Sequence, residues 1–141
     1  MAIDDCSRVS YAEVLPDQRG ATVAAFLRRA IKWFRRRGVR IERVLSDNGA
    51  ADRSRLSRRS AAPLAVAQRW TRPYRPQTNG KAERFIQTLL REWAYGRPYT
   101  SSLERQVALP RWLHYYNWHR RHSSLQGTSA LQPCDPGGPI C

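Results

Sequence analysis

The order strand, amphipathic helix, strand over residues 9–46 is the tightest constraint this sequence places on its own fold. Val9-Ser-Tyr-Ala-Glu-Val-Leu15 alternates in the manner of a half-buried strand, so residues 2–15 read as a hairpin ended by Pro16-Asp17. From Gly20 to Arg37, Val23, Phe26, Leu27, Ala30, Ile31 and Phe34 recur at helical spacing, while Arg28, Arg29, Lys32, Arg35 and Arg36 occupy the other face. Gly38 supplies the residue type that closes helices, and Val39 to Ser46 returns as a strand. A parallel crossover of this kind places Asp47 at the carboxyl end of its strand, where ligands gather in open α/β sheets.

Downstream the pattern weakens and then recovers. Residues 50–63 are arginine-rich and only weakly periodic, with Leu56 as the main apolar anchor, and Leu64-Ala-Val-Ala67 reads as a short edge strand. Pro73 and Pro76 forbid regular structure over Thr71–Thr78 and favour an extended loop. Asn79-Gly80 then starts a helix with Phe85, Ile86, Leu89, Leu90 and Trp93 on its packed side and Asn79, Glu83 and Gln87, four apart, on another. A last helix begins at Ser101, whose Ser-x-x-Glu104 spacing is a capping box, and runs through Val107, Trp112, Leu113 and Tyr116, with Pro110 expected to bend or restart it. Past Leu125 the chain is rich in Gly, Pro and Ser without periodicity, so residues 1–125 read as the domain and 126–141 as a disordered tail.

Charge narrows the partner. The 141 residues hold 25 Lys plus Arg against 11 acids, a net charge of +14, and only Lys32 and Lys81 are lysines. Such a balance points to a polyanion, with nucleic acid the default. No run of about 18 apolar residues is present to span a membrane, and the N-terminus carries Asp4 and Asp5 where a signal peptide would be basic, so the expected location is the cytoplasm, in association with the nucleoid. Cys6, Cys134 and Cys141 lack metal-ligand spacing and read as reduced thiols.

Two carboxylates stand in contexts suited to metal-assisted phosphate chemistry. Asp47, in Asp47-Asn48-Gly49, ends the strand-like run Arg43–Ser46, and Glu83 lies near the start of a helix, with 35 residues between them. Oxygen ligands of this kind suit Mg²⁺ or Mn²⁺, and a pair of such ions about 3.5–4 Å apart serves phosphoryl transfer in nucleases and polymerases. The plainer reading makes Glu83 a solvated helix acid paired with Gln87 or Arg84. His114, His119 and His122 suggest zinc, but no cysteine or carboxylate lies at finger-like spacing, so they read as surface histidines or phosphate contacts. Trp112, Tyr115, Tyr116 and Trp118 read as packing residues, with base stacking as the alternative.

The blocks Val44-Leu-Ser-Asp-Asn-Gly49, Thr71-Arg-Pro-Tyr-Arg-Pro-Gln-Thr-Asn-Gly-Lys-Ala-Glu-Arg-Phe85 and Tyr115-Tyr-Asn117 through His119-Arg-Arg-His122 resemble the integrase catalytic core of insertion-sequence transposases, of the IS481 group related to IS3 and to retroviral integrases. The resemblance runs roughly from Ala2 to Leu125. It implies an α/β, ribonuclease-H-like mixed sheet flanked by helices and an Asp-Asp-Glu metal triad, whose second and third members match Asp47 and Glu83 as catalytic and metal-binding residues. It further implies transposon-end and target DNA as partners, held by Arg72, Arg75, Gln77, Asn79, Gly80, Lys81, Arg84 and Arg120, and a homo-oligomer.

The family's first triad Asp lies on a central first strand upstream of Ile3-Asp4-Asp5, so the resemblance implies an N-terminally truncated core lacking that strand. Asp4 and Asp5 then read as turn carboxylates. A missing central strand leaves two open sheet edges, so either the hairpin slides across to pair with residues 39–46 or the slot invites another chain. On this expectation the chain alone shows little strand transfer, and the competing reading is a non-catalytic DNA-binding remnant.

Overall fold

Helix α1 spans Gly20–Arg35 and buries Ala24, Phe26, Leu27, Ala30, Ile31 and Phe34, the stripe that its apolar periodicity dictates. Its end comes at Arg35, two residues before the expected Arg37, because the chain folds into a left-handed closure. Gly38 sits at φ 78°, and the amides of Arg37 and Val39 both return to the Phe34 carbonyl, at 2.9 and 3.2 Å. A side chain at that φ would be strained, which is why glycine stands there. At the other end the Asp17 carboxylate accepts from the Arg19 amide at 2.9 Å, and its hydrogen bonds, the Thr22 side chain first, hold its pKa below the ordinary value.

The computed structural model describes residues 1–46, 66–70 and 80–131, which fall into two compact units, Met1–Ala12 with Lys81–Cys141, and Glu13–Gly80. In the second unit α1 is followed by β3, Arg43–Ser46, which pairs in parallel with β4, Ala67–Trp70, from Arg43↔Ala67 to Ser46↔Trp70. Leu27, Ile31 and Val66 form its core, with Ile41 and Val44 packed against them. The strand expected over 39–46 is thus only its last four residues. The edge strand expected at 64–67 instead starts at Ala67: Val66 turns into the core, and the ladder continues through Gln68 and Arg69, residues that no apolar pattern would single out. The weakly periodic stretch 50–63 lies outside the described residues.

The first unit opens with a hairpin far shorter than 2–15. Strand β1, Ala2–Ile3, pairs antiparallel with β2, Ser10–Tyr11. Asp4 builds the intervening turn, its Oδ2 accepting from both the amide and the hydroxyl of Ser7 at 2.7 Å, and Arg8 adopts φ 63°. The turn carboxylate expected at Asp4 is therefore present. Among the described residues there are two ladders of two strands each, and neither pairs the hairpin with residues 39–46.

Helix α2, Gly80–Leu89, runs into a π-helical turn at Leu90–Ala94, and α3 covers Ser102–Trp118. The widened turn brings Trp93 and Ala94 together into a core with Ala12 and Leu109, and the Trp93 indole donates to the Arg105 carbonyl at 3.0 Å. Phe85, Leu89 and Trp93, four apart, form the packed stripe, whereas Ile86 and Leu90, expected beside them, are exposed. Ser101 caps α3 by accepting from the Glu104 amide at 3.1 Å, and Glu104 reaches back to the Thr100 amide at 2.7 Å, one residue earlier than a standard capping box. Those Thr100 hydrogen bonds lower the Glu104 pKa. The helix continues through Pro110 without restarting, and Val107 faces solvent.

Beyond Leu125 the chain remains tied to the body, contrary to a tail starting at 126. His122 and Thr128 share a backbone hydrogen bond of 3.0 Å, and the Leu131 amide donates to the Asn117 carbonyl at 2.9 Å. Residues 132–141 lie outside the described part. No described helix is long and apolar enough to cross a membrane.

Candidate functional site

Glu83 stands in the first turn of α2, and that turn is fixed from below. Phe85, two residues on, is 1% exposed and meets the Tyr116 ring edge-on at 4.9 Å and Trp112 at 6.1 Å, so α2 is anchored against α3. With Phe85 inward, helical geometry turns Glu83 and Gln87 outward together, and both are exposed. The carboxylate has no cationic partner among the described residues, so the Arg84 pairing that would make it a mere surface acid is not formed there.

At Gly80 an added Cβ would meet no described residue within 4 Å. Arg84 is exposed. Lys81 is more constrained, since its Nζ lies 2.5 Å from Asp5 Oδ1 and donates to the Asp5 carbonyl at 3.0 Å. This ties the start of α2 to the β1–β2 turn. Asp5 is 84% exposed, so the pair is a weak surface one that a phosphate can compete with.

Arg120 is placed differently from the expected phosphate contact. Its Nη2 lies 3.0 Å from Glu92 Oε1, its Nε donates to the same oxygen at 3.1 Å, and the guanidinium sits 5.7 Å from the Tyr116 ring centroid. It clamps the end of α3 to the π-helical turn, leaving Arg121 as the exposed member of the pair. Asp47, Arg72, Arg75, Gln77 and Asn79 lie outside the described residues. Among the described residues no group of three His, Cys, Asp or Glu could hold a metal ion.

The histidines and aromatics divide by burial. His114 and His119 are exposed and stack with Trp118 and Tyr115. His122, expected at the surface, is 7% exposed against Tyr116, and its Nε2 has no partner among the described residues. Burial pushes its pKa below the ordinary histidine value, opposed by a hydrogen bond to the Tyr116 backbone. Trp112 and Tyr116 are packing residues, as expected. Sequence reasoning missed Asn117, whose side-chain amide exchanges two hydrogen bonds with Ser10, 2.8 Å from the Ser10 amide and 2.9 Å to its carbonyl. It closes the outer edge of β2 as a strand would. Its place in the Tyr115-Tyr-Asn117 block and its polarity inside an aromatic helix were the available signals.

Two family models, both described as Integrase core domain, match residues 1–76 and 64–129. The chain belongs to the integrase core domain family. An uncharacterized protein of insertion element IS136 from Agrobacterium fabrum is 32% identical over 88 residues, which is 62% of this chain and 45% of that protein, and one from Agrobacterium tumefaciens strain T37 matches equally. The chain therefore spans about half the length of these curated relatives. Among solved structures, the catalytic core domain of BIV integrase superposes with a TM-score of 0.70 at 22% identity, covering 91% of this chain and 78% of that one. A chain of a simian T-cell lymphotropic virus intasome, in complex with PP2A regulatory subunit B56 gamma, gives 0.77 at 21% identity, covering 99% and 49%. The fold is the ribonuclease-H-like one of retroviral integrase cores.

Proposed function

We propose that this integrase core handles DNA for an insertion element, and that in its intact form it transfers phosphodiester strands, with Asp47 and Glu83 as catalytic carboxylates. One observation carries the reading: Glu83 is presented to solvent by a helix anchored through Phe85, beside an open Gly80 and an exposed Arg84. Ribonuclease-H-like cores in general use acidic clusters, and the IS136 relatives belong to an insertion element.

The donor chemistry fits Mg²⁺ or Mn²⁺: Glu83 offers a carboxylate not engaged by a described cation, and Asp47 follows directly on Ser46, the last residue of β3. Bound there, such ions would supply Lewis acidity at the scissile phosphate and a more nucleophilic attacking oxygen. The chain's own part is positional. Gly80 admits the DNA backbone, Arg84 and Lys81 neutralise phosphate charge, and the loop residues Arg72, Arg75, Gln77 and Asn79 hold the strand beside the acids. The partners on this reading are transposon ends and target DNA, the working location is the nucleoid in the cytoplasm, and the core assembles on DNA as a homo-oligomer.

The test combines duplex binding with a Mg²⁺- and Mn²⁺-dependent joining assay on terminal-repeat DNA, using the chain, Asp47→Asn and Glu83→Gln. Retained binding by both variants, with any residual joining lost, supports the reading. Robust joining by the Glu83→Gln variant would overturn it. The rival, a DNA-binding remnant with no use for its acids, predicts unaltered behaviour of both variants in every assay.

A further inference from the structure

We propose that the outer face of α1 is a second, sequence-independent track for duplex DNA, built on Arg28, Lys32 and Arg36. The three are spaced four residues apart, so they form one row on the helix, and all three are exposed. Eight residues of rise make that row about 12 Å long. This is roughly the width of a B-DNA major groove, and a duplex presents about one phosphate charge per 1.7 Å of its axis to such a row.

Among the described residues none of the three forms an ion pair. Between Asp17 and Glu42 the chain contains no acid but eight basic residues. On the N-terminal side of α1 the acids of the same unit are already engaged: Glu13 holds Arg29, with Oε2 2.5 Å from Nη2, and Asp17 lies 3.8 Å from Arg19, while the exposed Glu42 lies beyond the helix end. Favourable interaction with the helix dipole accounts only for the last turn, which holds Lys32 and Arg35 and adjoins Arg36. Arg28 stands too far from that end to gain from it, and like charges four residues apart repel. Crowding is visible at Arg37, whose pKa is lowered by burial and then by Arg36, and whose guanidinium lies 3.6 Å from the Trp33 ring centroid. An unneutralised row of this length calls for an external polyanion. The helix also continues into a shallow cleft lined by Arg35, Gly38, Val39, Arg40 and Ile41, which extends the basic surface past the helix end.

The inference rests on the DNA-handling reading but concerns other residues, so the two fail separately. Binding of a random-sequence 30-base-pair duplex is measured against salt for the full chain, for the triple variant Arg28→Gln/Lys32→Gln/Arg36→Gln, for a charge-matched control Arg91→Gln/Arg111→Gln/Arg121→Gln, and for Lys81→Gln/Arg84→Gln. Three lost phosphate contacts shrink the slope of log K against log salt by about 2.7. That drop is expected in the α1 triple variant, with a clearly smaller one in the control, and Arg28→Lys/Arg36→Lys should keep the parental slope. Circular dichroism checks that each variant stays folded. An equal drop in the control, meaning diffuse charge alone, overturns the proposal, as does a parental slope in the α1 variant. Loss of binding to phosphatidylserine vesicles with DNA binding unchanged would overturn it in favour of a lipid surface. An α1 drop without any effect of Lys81→Gln/Arg84→Gln would uphold the α1 track and count against the α2 contacts.

Discussion

Gly80 and His122 show how much one residue can decide. No described residue lies within 4 Å of an added Cβ at Gly80, so Gly80→Ala should fold without clash and gain up to about 1 kcal/mol from better helix propensity. If DNA approaches there, the same change weakens duplex binding severalfold; a higher melting temperature with unchanged binding would remove Gly80 from the interface. His122 makes a pH prediction. Its pKa is depressed in the folded state, so below the ordinary value of about 6.5 the unfolded chain binds the proton more readily, and stability falls as pH drops through that region while staying flat above it. Arg8 and Arg120 add to the penalty on the charged form and Glu92 relieves it. Melting temperatures compared at pH 5.5 and 7.5 should separate for the parent and converge for His122→Phe. The placing of Gly80, Glu83 and Arg84 in the first turn of a helix was legible from sequence, because Asn79-Gly80 marks its start. The pairing of Arg120 was not, because it depends on Glu92, a residue 28 positions away that meets it only through the packing of α3 on the π-helical turn.

At the scale of elements, periodicity was a good guide to helices and a poor one to strand limits. Helix α1 is where its apolar stripe puts it, and Ser101 caps α3 as its spacing requires, so Ser101→Ala should cost about 1 kcal/mol by denaturant titration. Strand limits depend on partners that a single segment does not encode. The ladder from Ala67 to Trp70 exists because β3 pairs with it, and the hairpin ends at Tyr11 although its alternation continues to Leu15. Likewise Ile86 is exposed because the packed stripe runs through Phe85, Leu89 and Trp93, four apart. Pro110 passes through α3 because the helix can forgo one internal hydrogen bond when its neighbours are packed, as Leu109 and Trp112 are. Phe85 is the anchor of the Glu83 turn. Phe85→Ala should therefore cost about 3–5 kcal/mol and lower metal and DNA affinity together, whereas Ile86→Ala, on the exposed neighbour, should change stability by well under that.

For the molecule as a whole, charge and family membership point the same way. A chain of net charge +14 attracts polyanions regardless of fold, so nonspecific DNA affinity must fall steeply with salt and does not by itself establish catalysis. What distinguishes a working core from a basic remnant is cooperation between Asp47 and Glu83 across 35 residues of sequence. Manganese binding followed by electron paramagnetic resonance on the chain, Asp47→Asn, Glu83→Gln and the double variant tests that cooperation without any need for turnover. The account predicts that each single substitution weakens Mn²⁺ binding about tenfold or more, roughly 1.4 kcal/mol, and that the double variant is little worse than either. Additive losses, or a Glu83→Gln variant that binds Mn²⁺ as the parent does, would contradict it.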